Sequence, residues 1–196
     1  GLLAAAGKPV RAEGGRPVAE SPAAEAKSAG AKELPQLIKA LGSSDFAERM
    51  RAEEQILRMG QDAYDAVIAA KGHPDLEIRE RVRYIELRLQ IDWVRPDDPL
   101  AARQLLTRYK SLNEEGRLAR IAKLADLPAG QGIGPLCRIA RFDGHEVVAK
   151  RAAMALISLP DERLVERGVL ARAVEVELDV AASPAVGWIR TRLVGL

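Results

Sequence analysis

The sequence predicts an all-α protein, an α-solenoid of about five antiparallel helix pairs wound into a right-handed superhelix. Hydrophobic residues make up 47% of the 196 residues and aromatic residues 4%, which favours closely packed helices over a β-sandwich. Apolar residues recur at helical spacing in one segment after another, and Gly, Pro and Asp separate the segments. Helix pairs that recur every ~30–40 residues are typical of an α-solenoid.

The N-terminal stretch is predicted to lie outside the helical domain. Residues 1–12 have features of a secretory signal-peptide remnant, since the apolar residues 2–6 precede Val10 and Ala12, at positions that suit signal peptidase. That interpretation predicts an extracytoplasmic protein, secreted or periplasmic. The alternative, a flexible Ala-rich tail, leaves the chain cytoplasmic. Residues 13–33 are rich in Ala, Gly, Pro and Glu and are expected to form a disordered linker.

The helical domain is expected over residues 34–196, opening with a short helix. The second helix, DFAERMRAEEQILRM, begins at Asp45, which forms a capping box with Glu48, and ends at Gly60. The helix is predicted to bury a broad apolar face of Phe46, Met50 and Leu57, with Ala52, Ile56 and Met59 beside them. The segments QDAYDAVIAA and LEIRERVRYIELRLQI then form the next helix pair.

The second half of the domain repeats this arrangement after a break at residues 95–99. LAARQLLTRY is predicted to be helical, and Ser111 with Glu114 forms a second capping box ahead of EGRLARIAKLADL. A short helix in IGPLCRIA precedes a longer one, EVVAKRAAMALISL, which Pro160 ends. ERLVERGVLARAVEVEL and a last helix to about Leu193 complete the domain.

Matching residues recur in the second helix of each predicted pair. They are Arg49, Arg79, Gly116, Ala149 and Gly187, with spacings of 30, 37, 33 and 38 residues (79−49, 116−79, 149−116 and 187−149). A small residue at such a position allows neighbouring helices to approach closely. The recurrence therefore indicates stacked copies of one helix pair.

These pairs resemble HEAT repeats in their short bacterial-type form, whose second helix tends to read Asp-x-x-x-Val-Arg-x-x-Ala-x-x-Ala-Leu. Asp75 and Arg79 lie close to this pattern, and Asp45 and Arg49 match it in part. The resemblance covers about residues 34–196. It implies that these Asp and Arg side chains tie one repeat to the next.

The chemistry-bearing residues do not form a recognisable catalytic or metal-binding motif. His73, His145 and Cys137 fall on separate segments, so they do not supply the ligands of a tetrahedral metal site. No nucleophile elbow or phosphate-binding loop is present. We therefore expect no catalytic residue, no metal and no cofactor.

Five arginines form the sharpest candidate for a binding surface. Arg51, Arg81 and Arg151 occupy matching positions in three second helices, and Arg58 and Arg88 match in two. Stacked repeats would align them along one edge of the solenoid. Glutamates within helical reach can pair with them, and a solvated face of mixed charge is the alternative to a partner-binding surface.

The overall charge of the chain argues against a nucleic-acid arm or a polybasic membrane anchor. Its 30 basic and 28 acidic residues leave a formal charge of +2. We predict a non-enzymatic interaction or scaffold module that binds a protein partner along its stacked helices. The alternative is a repeat-scaffold enzyme or nucleic-acid binder that uses the arginines, of the HEAT-like glycosylase or lyase type.

Overall fold

The structure, a computed structural model, describes residues 33–159, residue 178 and residues 184–194. These residues fold into helices joined by turns, and no strand occurs among them, so the predicted all-α class is confirmed. The predicted signal-peptide remnant, the linker up to residue 32 and, apart from Leu178, the helix after Pro160 lie outside the described residues. None of the described helices has both the length and the hydrophobicity of a membrane-spanning helix.

The helices follow one another with short connections. In chain order they are α1 (33–40), α2 (Phe46–Met59), α3 (Tyr64–Ala70), α4 (Leu76–Arg88), α5 (Leu100–Leu106), α6 (Glu114–Ala125), α7 (Ile133–Phe142), α8 (Glu146–Ile157) and α9 (Pro184–Val194). Single 3₁₀ turns precede α3, α6 and α7: Gly60–Ala63, Tyr109–Ser111 and Pro128–Gly130.

Side-chain caps fix where three of these helices begin. Asp45 and Asp75 each accept a first-turn backbone amide of α2 and α4 at 2.8 Å, and Asn113 does the same for α6 at 2.9 Å. The predicted capping box of Ser111 and Glu114 is therefore wrong. Ser111 lies in the 3₁₀ turn, where its hydroxyl donates to the Arg108 carbonyl oxygen at 2.8 Å, and the side-chain oxygen Oδ1 of Asn113 caps α6.

The position four residues after each of these caps holds an arginine. Arg49, Arg79 and Arg117 each donate to carbonyl oxygens of the turn that precedes their own helix, with closest distances of 2.6, 2.8 and 3.0 Å. Arg49 also lies 3.6 Å from Glu77 of α4. The residue of α6 that matches Arg49 is thus Arg117, one residue after the predicted Gly116.

The buried side chains form two cores. One comprises residues of α1 to α4 with Phe142 of α7, and the other comprises residues of α5 to α9. Within the first half, α4 packs against α2 and α3; within the second, α8 packs against α6, α7 and α9. Trp93, in the connection between α4 and α5, packs against both cores. The segment between α4 and α5 and the end of α7 therefore join the two halves of the molecule, α1–α4 and α5–α9.

A buried ion pair fastens the connection between the halves to α7. Arg138 is 2% exposed and Asp98 8% exposed, and the guanidinium donates to both carboxylate oxygens at 2.8 and 3.0 Å. It also donates to the Trp93 carbonyl oxygen at 2.7 Å. Burial opposes ionisation of Asp98, but hydrogen bonds from Arg138 and the Arg95 amide, with the Arg138 charge, hold its pKa below the usual value.

Two further contacts connect α7 to the first half. Arg141 forms an ion pair with Asp65 of α3 at 2.5 Å. The rings of Phe142 and Tyr64 meet edge to face, with centroids 5.1 Å apart, a preferred geometry for an aromatic pair. The end of α7 is consequently packed against α3.

Candidate functional site

The five arginines predicted to contact a partner lie on α2, α4 and α8. Counted from the residue that precedes each helix, Arg51, Arg81 and Arg151 all stand at the sixth position (51−45, 81−75 and 151−145). They therefore point in the same direction from their helices. The sixth position of α6 is Ala119 (119−113), so the series is interrupted there.

Arg81 differs from the other four because its side chain is largely buried. It is 18% exposed and donates to Glu53 of α2 at 3.2 Å and to Glu77 at 2.7 Å. Glu53 is itself buried, with 7% of its side chain exposed. A carboxylate at such a site needs a compensating charge. Arg81 thus joins α4 to α2 and contributes little free charge to the surface.

The other arginines are exposed. Arg58 donates to Glu54 at 2.6 Å on its own helix, and the Arg51 guanidinium reaches a carbonyl one turn back at 3.2 Å. Arg88 donates to the Tyr84 hydroxyl at 2.6 Å while its guanidinium carbon lies 5.2 Å from the centre of that ring. Such contacts order long side chains at the surface.

Large apolar side chains are exposed chiefly on the same helices. Ten such side chains are at least two-fifths exposed in the described residues, and eight of them lie on α2, α4, α8 and α9. These eight are Phe46, Met50, Leu76, Tyr84, Leu87, Val147, Met154 and Trp188, and the remaining two are Val94 and Leu100. Scattered apolar residues are normal on protein surfaces, but here most of them lie on these four helices.

The assignment of Phe46 and Met50 to the buried face of α2 is wrong. Phe46 is 63% exposed and Met50 40% exposed, whereas Ala52 and Ile56 are buried. Met50 and Ala52 are two residues apart, which places them about 160° apart around a helix. The apolar residues of α2 therefore cover more than the face that the neighbouring helices bury.

The exposed apolar positions recur from helix to helix. Phe46 and Leu76 each follow the capping residue directly, and Tyr84 and Met154 each stand nine residues after the position that precedes their helix (84−75 and 154−145). The ninth position is three residues beyond the sixth, where an arginine stands in α2, α4 and α8. Side chains three residues apart are neighbours on a helix surface, so Tyr84 lies next to Arg81 and Met154 next to Arg151, whereas the ninth position of α2 holds Glu54.

The histidines do not come together with other metal-binding groups. His145 Nδ1 lies 3.7 Å from Glu114, and both side chains are about half exposed or more. Among the residues described, no group of three or more His, Cys, Asp and Glu side chains is placed to hold a metal ion. Cys137 is buried within α7.

Comparison of the chain with protein-family models, curated proteins and solved structures finds no match.

Proposed function

We propose that the chain is a HEAT-like α-solenoid of about five helix pairs that binds a partner protein along the exposed face of its second helices. The pairs would be α1 with α2, α3 with α4, α5 with α6, α7 with α8, and a fifth ending in α9. Packing of α2 on α4, of α6 on α8 and of α8 on α9 supports this arrangement. The equivalent arginines Arg49, Arg79 and Arg117 support it further.

The observation that carries the proposal is the concentration of exposed apolar side chains on α2, α4, α8 and α9. Burial of apolar area contributes roughly 25 cal/mol per Å², and this burial is the main source of favourable free energy at a binding surface. Leu76, Tyr84 and Leu87 place three exposed apolar side chains on α4 alone. Because α4 packs against α2, these residues and those of α2 belong to adjacent helices.

The charged residues of this face favour a partner with apolar and acidic side chains. Arg51, Arg58 and Arg88 are exposed on α2 and α4, which also carry exposed apolar side chains, and arginine and aromatic residues are enriched where binding energy concentrates. Arg58 and Arg81 already contact glutamates. That pairing favours a protein partner over a nucleic-acid backbone, which would need cations free to neutralise phosphates.

Two leucines provide a matched test of the proposal. Leu76 is the first residue of α4 and 62% exposed, and Leu100 is the first residue of α5 and 63% exposed. We expect a partner captured by the wild-type chain and identified by mass spectrometry to bind the Leu76→Ser variant less and the Leu100→Ser variant as before. Equal loss in both variants, or none in either, would argue against a binding face on the second helices.

A further inference from the structure

A cleft opens where the two halves of the molecule meet. Its volume is about 410 Å³, within the ~300–1,000 Å³ range of small-molecule sites. One wall comes from α4 and the segment after it, and another comes from the turn between α7 and α8. The apolar lining includes Leu89, Ile91 and Trp93. Leu87, one of the exposed apolar side chains of the protein-binding face proposed above, also lines this cleft, whereas none of those of α2 and α8 does.

Two polar groups of this cleft lack a hydrogen-bond partner among the described residues, the Tyr64 hydroxyl and the buried Trp93 Nε1. Tyr64 is 6% exposed and lines the cleft, and its hydroxyl forms no hydrogen bond with the residues described. The Tyr64 hydroxyl oxygen is not sealed from solvent, because the cleft gives access to it. Burial, then the charges of Glu86 and Asp143, raise its pKa far above the usual value. The hydroxyl therefore keeps its proton and can donate to a ligand.

The carboxylates of the cleft are already compensated. Asp143 accepts from the Tyr109 hydroxyl at 2.8 Å and from Arg117 at 2.9 Å. Glu86 forms an ion pair with Lys71 at 2.7 Å. Neither carboxylate needs a bound cation to offset its burial.

Lys110 is the lining cation whose charge remains available. Its side chain is exposed, and its ammonium group contacts no carboxylate in the part of the chain described. An anion at the mouth of the cleft would gain a charge-assisted contact there. The apolar wall and the Tyr64 hydroxyl offer complementary contacts deeper in.

We propose that this cleft binds a small organic anion, an apolar or aromatic body that carries a carboxylate and a separate hydrogen-bond acceptor. The carboxylate contacts Lys110, the apolar body packs against Trp93 and Ile91, and the acceptor receives the Tyr64 hydroxyl. Two sources share this chemistry: a free small carboxylic acid and the carboxyl terminus of a peptide.

Calorimetry and ligand-observed NMR with N-acetylphenylalanine and its carboxamide test the proposal. The acid has all three features, whereas the carboxamide lacks the charge, and we expect about tenfold weaker binding of the carboxamide. Lys110→Ala should remove this discrimination, and Tyr64→Phe should weaken binding of the acid several-fold. Lys39→Ala, an exposed lysine on α1, is the control and should leave both affinities unchanged.

Several results would overturn the proposal. They are no binding of the acid at millimolar concentration, equal binding of acid and carboxamide, or binding unchanged by both Lys110→Ala and Tyr64→Phe. Circular dichroism of each variant shows whether it remains folded, and the Tyr64→Phe change removes no hydrogen bond within the described residues. The peptide Ala-Ala-Ala-Phe, with a free or an amidated C-terminus, distinguishes the two sources. A cleft for peptide carboxyl termini binds the peptide with the free terminus, whereas a cleft for small free acids alone binds neither form.

Discussion

Replacing Arg138 with methionine removes the cation that compensates Asp98 at the junction of the two halves. Both side chains are buried, at 2% and 8% exposure, and two charge-assisted hydrogen bonds at 2.8 and 3.0 Å join them. Breaking such a pair from one side leaves an uncompensated buried charge, which costs about 3–5 kcal/mol. The variant should therefore lose about that much free energy of unfolding, or about 6–20 °C in Tm for a chain of this size.

Urea denaturation followed by circular dichroism measures this loss. Arg83→Met is the matched control, because Arg83 forms a 2.7 Å ion pair with Glu80 on the surface, where the two side chains are 59% and 56% exposed. Exposed pairs contribute less than about 1 kcal/mol. If Arg138→Met costs no more than Arg83→Met, the ion pair does not hold the halves together as inferred.

Three further predictions concern stability. Hydrogen bonds and the charge of Arg138 hold the pKa of Asp98 below its unfolded value. The contribution of ionised Asp98 to the free energy of unfolding should therefore be fully present above about pH 4; acid titration should show this contribution lost as the pH falls through the lower folded pKa. Arg81→Met should lower the free energy of unfolding by about 2 kcal/mol in urea denaturation, since it leaves the buried Glu53 without its cation; a loss near zero would show that the Glu53 carboxylate is hydrated. Asn113→Ala should cost about 1 kcal/mol through loss of the α6 cap, and Ser111→Ala less than about 0.5 kcal/mol; the reverse order of the two costs would restore Ser111 as the cap.

The helices themselves could be predicted from sequence because their signals are local. Apolar spacing indicates the helices, and Asp45 marks a start that the structure confirms, whereas Asp75 was not predicted to cap α4. The start of α6 was misplaced because Ser111 and Asn113 are both good capping residues. In the structure Ser111 lies in a 3₁₀ turn together with the buried Tyr109, and capping rules do not take such burial into account.

The contacts between the halves could not be predicted, because their partners are distant in sequence. Arg138 lies in the apolar segment IGPLCRIARF, and Asp98 is 40 residues away in a loop. The burial of Arg81 likewise depends on Glu53 of α2, 28 residues earlier in the chain. The exposure of Phe46 depends on which face of α2 the neighbouring helices cover, a tertiary property that periodicity alone does not determine.

The affinity of a captured partner for the Leu76→Ser and Leu100→Ser variants tests the proposed binding face most directly. Complete burial of a leucine contributes about 1.5–3 kcal/mol, and Leu76 has 62% of its surface left to bury. Its loss should therefore weaken binding about 5- to 25-fold by calorimetry, while Leu100→Ser stays within about twofold. Unchanged affinity for Leu76→Ser, or an equal loss for Leu100→Ser, would contradict a binding face formed by the second helices.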